Sequence, residues 1–260
     1  MHRLACLYLV CLLSTGCTRY YYRPNAVEAP LFTGGGQAHF DLAGSTGNFY
    51  DQTNGGNTYD GSTTTFAAQA AYSPINHLAA FFSYSSLAYR TANPDNAGNV
   101  DANAHLLEGA IGGYYAKGRK FKMVADLYVG YGGGPIRSDV DMHLSRFFVQ
   151  PGIGVTSPYF DAAFNLRISA VNFSRFNANG HDSTYLQNNN LIDGLGTRID
   201  QRGYAFAEPC FTVRGGYKFL KIQMQIVVAQ SLDNAAWNYN PVTYTLGVYF
   251  SLEDVLKAGR

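Results

Sequence analysis

An apolar residue at every second position recurs between Gln37 and Phe250, in stretches of about ten residues. The clearest stretch is Phe121–Tyr131, in which the odd-numbered positions are Phe, Met, Ala, Leu, Val and Tyr. Its even-numbered positions include Lys122 and Asp126. A period of two indicates a β-strand, because successive side chains of a strand point to opposite faces. We therefore predict a β-protein in which the odd residues of this stretch share one apolar face.

The alternating stretches number about ten, and the connections between them alternate in length. Short turns such as Lys117–Lys120 follow the even-numbered stretches, and long polar loops such as Ser174–Tyr204 follow the odd-numbered ones. Antiparallel neighbours joined in this way place every short turn at one end and every long loop at the other. Both termini are then expected at the short-turn end. The stretches lie near Gln37–Ser45, Thr63–Tyr72, His77–Tyr89, Ala104–Ala116, Phe121–Tyr131, His143–Thr156, Phe160–Phe173, Ala205–Tyr217, Leu220–Gln230 and Val242–Phe250.

These features predict an all-β fold, an antiparallel up-and-down transmembrane β-barrel of about ten strands over residues 37–250. Its short turns are expected to be periplasmic and its long loops extracellular, since a tilted strand of roughly 9–11 residues crosses a bilayer. Aromatic side chains near the short turns suit a lipid interface. They are Tyr72, Tyr115, Phe121, Phe219 and Phe250.

A soluble antiparallel sandwich or lipocalin-like barrel is the alternative fold. It also alternates, but its apolar face points inward and its charged face outward. The second face of this sequence carries Lys, Asp, Glu, Arg, Gln and small residues, which would fill a closed soluble core badly. The membrane barrel accommodates both faces, because its interior is polar.

The amino terminus carries the features of a secretory leader, which we assign to residues 1–16. Met1–Arg3 is a short positive region, Leu4–Leu13 is apolar, and small residues precede Cys17. The ending Leu13–Cys17 resembles a bacterial lipobox, which implies lipidation of Cys17; ordinary cleavage nearby is the alternative. Residues 17–36 are then expected to form an N-terminal periplasmic linker, and residues 251–260 a C-terminal tail.

Cysteine content and charge narrow the possibilities further. If the leader is removed and Cys17 is acylated, Cys210 is the remaining cysteine, so no intramolecular disulfide is expected. The chain has 19 basic and 18 acidic side chains, and this balance gives no reason to expect a nucleic-acid partner.

Two segments carry a resemblance to known proteins. Tyr244–Phe250 resembles the C-terminal targeting signal of bacterial outer-membrane barrels, although Ser251–Arg260 follows it here. Cys17–Leu31 looks like the start of uncharacterised outer-membrane β-barrel lipoproteins of Bacteroidota, a family that brings no known activity. Surface-exposed lipoproteins of that phylum often carry acidic residues after the cysteine. Thr18–Tyr21 lacks them, which favours a lipid in the periplasmic leaflet.

The inward positions carry charged side chains that need partners in a narrow lumen, since unpaired burial costs several kcal/mol. We predict an interior network in which three arginines bridge the carboxylates. One interpretation is a salt-bridged plug that rigidifies the barrel, and the other is a selective polar channel or ligand pocket. The network residues are Glu108, Asp126, Arg146, Arg167, Glu208 and Arg214, and Asp41 is also expected to point inward.

A catalytic or metal site is the remaining chemical hypothesis. Asp139, Asp141 and His143 are spaced by two, which would place them on one strand face, as a metal or an acid–base pair requires. No orienting partner or oxyanion donor is evident. The sequence therefore predicts no catalytic, metal or cofactor residues and no enzyme activity.

The expected function is that of an outer-membrane lipoprotein, a non-enzymatic structural or interaction component of the bacterial cell envelope. The expected partners are outer-membrane lipid and, through the long loops, other envelope proteins or glycans. Loops rich in Asn and Tyr suit such contacts, although they equally suit plain solvated loops. Residues His181 and Asp182 lie in the longest loop. The alternative functions are a narrow transport or ligand-binding barrel for a small polar solute, and a soluble periplasmic barrel tethered by lipid.

Overall fold

The computed structural model describes residues 21–52, 58–91, 100–233, 235, 237 and 239–252. The predicted leader, Cys17 and most of the C-terminal tail lie outside these residues. The described chain consists mainly of strands, with one short α-helix and one turn of 3₁₀ helix. The strands are β1 (Gln37–Gln52), β2 (Thr58–Ile75), β3 (Leu78–Thr91), β4 (Val100–Gly118), β5 (Lys122–Arg137), β6 (Asp141–Thr156), β7 (Phe160–Asn177), β8 (Gly203–Tyr217), β9 (Leu220–Val228), β10 (Gln230–Ser231) and β11 (Val242–Ser251).

The sheet closes on itself to form a barrel. Each strand from β1 to β8 pairs antiparallel with the next one in sequence, β9 pairs with β11, and β11 pairs back with β1. The two-residue strand β10 follows β9 and pairs with β8. Ten long strands thus form a closed antiparallel barrel, which confirms the predicted fold class and strand number.

The faces of the strands follow the alternation of the sequence. In β5, Met123, Leu127 and Tyr131 are exposed on the outside, whereas Val124 and Tyr128 are buried inside. The predicted orientation of Phe121–Tyr131 is therefore confirmed. The inward residues include a Lys and an Asp, so the interior of this barrel is more polar than its outer face.

An apolar belt surrounds the barrel on the side of the short turns. It covers every outward residue from Met123 to Tyr131 in β5 and from Phe147 to Val155 in β6. Nine residues of a strand tilted by about 40° rise roughly 23 Å along the barrel axis. Aromatic side chains lie at the short-turn edge of the belt, among them Tyr72, Tyr115 and Tyr159, each more than half exposed.

The strands continue past the belt toward the long loops. Outward residues there are polar, as in Asp141, His143 and Ser145 of β6. One predicted stretch ends at Tyr131 and the next starts at His143, with a loop expected between them, but β5 continues to Arg137 and β6 begins at Asp141. This expectation was wrong because the strand persists where its outward residues are no longer apolar, so the hydrophobic signal ends before the strand does.

Residues 21–36, which we call the plug segment, run through the inside of the barrel. Tyr22 lies at the long-loop end, where its carbonyl accepts a hydrogen bond from Asn240 N at 2.9 Å. Gly36 lies at the short-turn end and donates to Ser73 O at 2.6 Å. The linker expectation must therefore be corrected, since residues 21–36 occupy the lumen. We also expected the amino terminus at the short-turn end. This was wrong for the described chain, which begins at the long-loop end.

The loop between β7 and β8 packs over the long-loop end of the barrel. It contains helix α1 (Ser183–Asn188), whose N-cap Asp182 accepts from Tyr185 N at 2.8 Å, and the 3₁₀ turn Ile199–Gln201. Its buried residues Leu186, Leu191 and Ile199 join a hydrophobic cluster with Trp237. No helix in the described part of the chain is long and apolar enough to cross a membrane.

Candidate functional site

Between Arg23 and Thr33 the plug segment forms neither helix nor strand. Pro24 and Pro30 restrict its φ angles and remove two backbone donors. The remaining buried backbone groups still need partners. Side chains of the lumen wall supply them: Gln225 donates to Val27 O and accepts from Val27 N, both at 2.8 Å, and Gln150 donates to Glu28 O at 2.8 Å. The wall is therefore built to bind a peptide backbone.

The contacts to the plug segment come from strands all around the barrel. Arg214 on β8 donates to Ala29 O at 2.7 Å, and Gln69 on β2 donates to Ala26 O at 3.2 Å. These strands are not neighbours in the sheet. Bonds from several directions hold the plug segment along the lumen rather than against one wall.

Arg146 is the centre of a charged network at mid-lumen. Its Nε and Nη2 atoms donate to Glu108 Oε1 at 2.8 and 2.6 Å. Its Nη2 also donates to Asn25 Oδ1 at 2.5 Å, and its Nη1 lies 3.4 Å from Glu208 Oε1. All three charged side chains are at most 1 % exposed. Arg146 therefore joins the barrel wall to the plug segment.

The contact between Glu108 and Arg146 depends on the residue between them. Glu108 on β4, Gly132 on β5 and Arg146 on β6 lie in one cross-strand row. A Cβ atom on Gly132 would lie 2.5 Å from Glu108 Cγ, so a larger residue would displace the carboxylate. The glycine thus leaves the space across which the two charges meet.

Arg167 completes the charge balance of the network. Its Nη1 atom donates to Asn25 Oδ1 at 3.0 Å and lies 3.7 Å from Glu108 Oε2, while Gln150 Oε1 accepts from its Nε and Nη2 at 3.2 and 3.1 Å. Its guanidinium also stacks 4.6 Å from the centroid of the Phe148 ring. Two arginines therefore balance two buried glutamates.

Tyr22 connects the long-loop end of the plug segment to the same network. Its hydroxyl donates to Glu208 Oε1 and accepts from Arg146 Nη1 at 2.8 Å. Its ring stacks on Phe206 at a centroid distance of 4.6 Å and lies edge-on to Trp237 at 6.4 Å. Tyr22 thus links the ion pairs to the hydrophobic cluster of the long-loop end.

The structure brings together Glu108, Arg146, Arg167 and Glu208 but leaves two of the predicted network residues apart. Arg214 donates to Ala29 O and, at 2.6 Å, to Gln223 Oε1, so the expected bridge to a network carboxylate is not formed. Its guanidinium lies 4.1 Å from the Tyr249 ring centroid. Asp126 lies with Asn165 against Gly152, and its Oδ1 accepts no hydrogen bond from the described residues.

The plug segment also supplies residues that sequence reasoning missed. Tyr22 and Asn25 make central contacts although they lie before the first predicted strand. Gln150 is a neutral inward residue on β6 and was not singled out. The glycine at position 154 gives one usable signal of a filled lumen, because a Cβ there would lie 2.6 Å from Leu31 Cδ2. Small inward residues of this kind leave room for an additional chain.

The expected acidic and histidine face at the start of β6 does not form a single cluster. Asp139 accepts hydrogen bonds from the hydroxyls of Tyr21 and Tyr185 at 3.0 and 2.8 Å. Asp141 and His143 alternate with buried Met142 and point outward. Within the described ranges, no group of three His, Cys, Asp or Glu side chains is placed to hold a metal ion.

The longest loop is ordered by its own hydrogen bonds as well as by packing. The backbone N–H groups of Thr197 and Leu195 donate to Asp193 Oδ1 at 2.8 and 2.9 Å and hold the pKa of this exposed carboxyl below its usual range. His181 stacks on the Tyr185 ring at a centroid distance of 3.8 Å. This loop therefore presents a defined surface rather than an unstructured one.

Comparison of the chain with protein-family models and with curated protein sequences found no match in either set.

Proposed function

We propose that this chain is an outer-membrane β-barrel lipoprotein that acts as a non-enzymatic structural or interaction component of the bacterial cell envelope. The carrying observation is the reversed distribution of polarity: the belt is apolar, and the buried interior holds charged network residues. A belt of roughly 23 Å agrees with the apolar band of about 25 Å typical of such barrels. Water would not stabilise this arrangement, since it exposes the apolar face and buries the charges.

The soluble, lipid-tethered barrel is a weaker explanation of the same fold. Large side chains such as Ile111, Met224 and Leu246 are each more than 60 % exposed on the outer face. Soluble monomers rarely expose contiguous apolar patches beyond a few hundred Å². A continuous belt around the barrel instead supports burial in lipid.

The transport alternative conflicts with the content of the lumen. The plug segment is bound by side chains from several strands, and Val27, Ala29 and Phe32 are fully buried. A solute could cross only if this segment left the lumen. We therefore favour a closed scaffold whose long-loop end, formed by the β7–β8 loop and the protruding strands, contacts envelope proteins or glycans.

A positive charge in the middle of the belt tests insertion in lipid. Leu127→Arg is expected to destabilise the barrel in lipid vesicles by about 2–4 kcal/mol, the cost of arginine near the bilayer midplane. Unfolding in urea, followed by heat-modifiable migration on gels, measures this difference. The matched control is Ser145→Arg, which places the same charge on the polar outer face of β6. Equal stability of both variants, or a wild-type band that never shifts on boiling, would contradict membrane insertion.

The lipid anchor of the proposal is Cys17, four positions before Tyr21 and outside the described residues. Four extended residues span at most about 14 Å. Because Tyr21 belongs to the cluster at the long-loop end, a lipid on Cys17 would enter the leaflet on that side. We therefore propose that the lipid on Cys17 lies in the outer leaflet rather than in the periplasmic one.

A protease recognition sequence inserted after Thr18 tests the side of the anchor. Protease added to intact cells is expected to cleave it, and a fatty-acid label is expected to leave with the small amino-terminal fragment. Cys17→Ala should lose the label and yet stay in the membrane fraction after carbonate extraction, since the strands hold it there. Cleavage only after the outer membrane is permeabilised would contradict this orientation.

A further inference from the structure

We propose that the short-turn mouth of the barrel is a binding site for a phosphate-bearing anion. A cavity of about 460 Å³ opens there between the plug segment and the ends of β5, β6, β9 and β11. Small-molecule sites commonly have volumes of about 300–1,000 Å³. Five cationic side chains line this cavity: Arg119, Lys120, Lys122, Lys218 and Lys221.

The chain topology brings these cations together from two separate turns. Arg119 and Lys120 lie in the turn before β5, and Lys218 lies in the turn before β9. Lys122 and Lys221 follow as inward-facing residues at the starts of those two strands. Five positive charges from two segments that are distant in sequence therefore converge on one mouth.

The plug segment closes the inner side of the cavity. Lys122 Nζ donates to Thr33 Oγ1 at 3.1 Å, and Leu31 also lines the cavity. The mouth is thus a pocket with a floor rather than the entrance of an open channel. A bound anion would stay at this end and would not pass into the lumen.

Within the described residues, few negative charges compensate these cations. Asp161 is bonded to Lys221 Nζ and to Thr156 Oγ1, both at 2.7 Å, so it neutralises one cation. Among the side chains that the structure describes, no carboxylate pairs with the other four lining cations. Like charges held this close raise the local positive potential, which attracts a multivalent anion.

Phosphate matches this lining better than an apolar or neutral ligand does. Lysine ammonium groups bind phosphate as compact point charges, and an arginine adds planar donors. Thr156 and Ser157 also line the cavity. A soluble phosphorylated solute and the phosphate of a lipid headgroup share this chemistry.

Binding of inorganic pyrophosphate to the full-length protein tests the site. In nanodiscs of zwitterionic phosphatidylcholine, calorimetry at low salt is expected to detect binding that weakens at least tenfold in R119Q/K120Q/K218Q. These three side chains are exposed, so their loss should leave the fold intact. The control R137Q/R175Q/R202Q removes the same charge at the long-loop end and is expected to bind as the wild type does.

Nanodiscs that contain phosphatidylglycerol separate the two sources of phosphate. Loss of pyrophosphate binding in these discs, restored by zwitterionic lipid, would identify a lipid headgroup as the ligand; unchanged binding would identify a soluble one. Absence of binding in phosphatidylcholine, or equal weakening in both triple variants, would overturn the proposal. The site depends on the barrel and not on insertion, so the same titration in detergent keeps this test independent of the membrane proposal.

Discussion

Deletion of residues 21–33 is expected to turn a closed barrel into a conducting one. The intact protein should show no single-channel steps in planar bilayers, because the plug segment fills the lumen from Tyr22 to Gly36. Without it, water can replace the backbone groups that Gln150 and Gln225 now bind. We expect the mean current at fixed voltage to rise at least tenfold.

The current must be shown to come from the vacated lumen. A synthetic peptide of residues 21–33 is expected to reduce it, whereas a scrambled peptide of the same composition should not. Deletion of residues 253–260, at the other terminus, is the control for a shortened chain and should leave the barrel closed. Equal conductance of the intact and deleted proteins would contradict a closed lumen.

A second variant keeps the test decisive if the deletion prevents folding. The double substitution Gln69→Ala and Gln225→Ala removes side-chain bonds to Ala26 and Val27 but leaves the contacts of Arg146 and Arg167 in place. Brief openings are expected as the plug segment loosens. Heat-modifiable migration shows whether each variant has folded before its conductance is measured.

The outer face of this barrel was predictable from sequence because it depends on local alternation. Period two divided Phe121–Tyr131 into two faces, and the loop lengths and the leader then indicated that the odd-numbered face points outward; the register of the neighbouring strands did not change this. Strand ends were less predictable. On the long-loop side of Phe147, the outward residues His143 and Ser145 are as polar as loop residues. Hydropathy therefore could not distinguish the protruding part of the strand from a loop.

The lumen was predictable only in part because its contacts are non-local. Alternation shows that Arg146, Arg167 and Arg214 point inward, but it does not show at what height or beside which partner. Arg214 lies where Ala29 O and Gln223 reach it, and both come from elements distant in sequence. The plug segment itself has no periodicity, since its partners surround it.

Arg146→Met is expected to produce the largest loss of stability among single substitutions in the lumen. It leaves Glu108 with the more distant Arg167 at 3.7 Å and removes the cation beside Glu208. Breaking a buried ion pair by removing one partner typically costs about 3–5 kcal/mol. The loss should appear as a lower urea midpoint in lipid vesicles.

In the same urea unfolding experiment, the fluorescence of Trp237 reports on the plug segment. It is the one tryptophan of the chain, and its ring contacts Tyr22, which Arg146 holds through the tyrosine hydroxyl. We expect its fluorescence to change at lower urea in Arg146→Met than the heat-modifiable band does, because the plug segment is released before the barrel unfolds. In the wild type the two transitions should lie closer together.

Two further variants separate the network charge from general damage to the fold. Arg146→Met combined with Glu208→Gln removes one charge of each sign and should recover part of the lost stability, since one buried carboxylate no longer lacks a cation. Arg137→Met, an exposed residue at the end of β5, should stay within about 0.5 kcal/mol of the wild type. A network that rigidifies the barrel requires this order of stabilities. If Arg146→Met and Arg137→Met have the same urea midpoint, the buried charges do not hold the plug segment against the barrel wall.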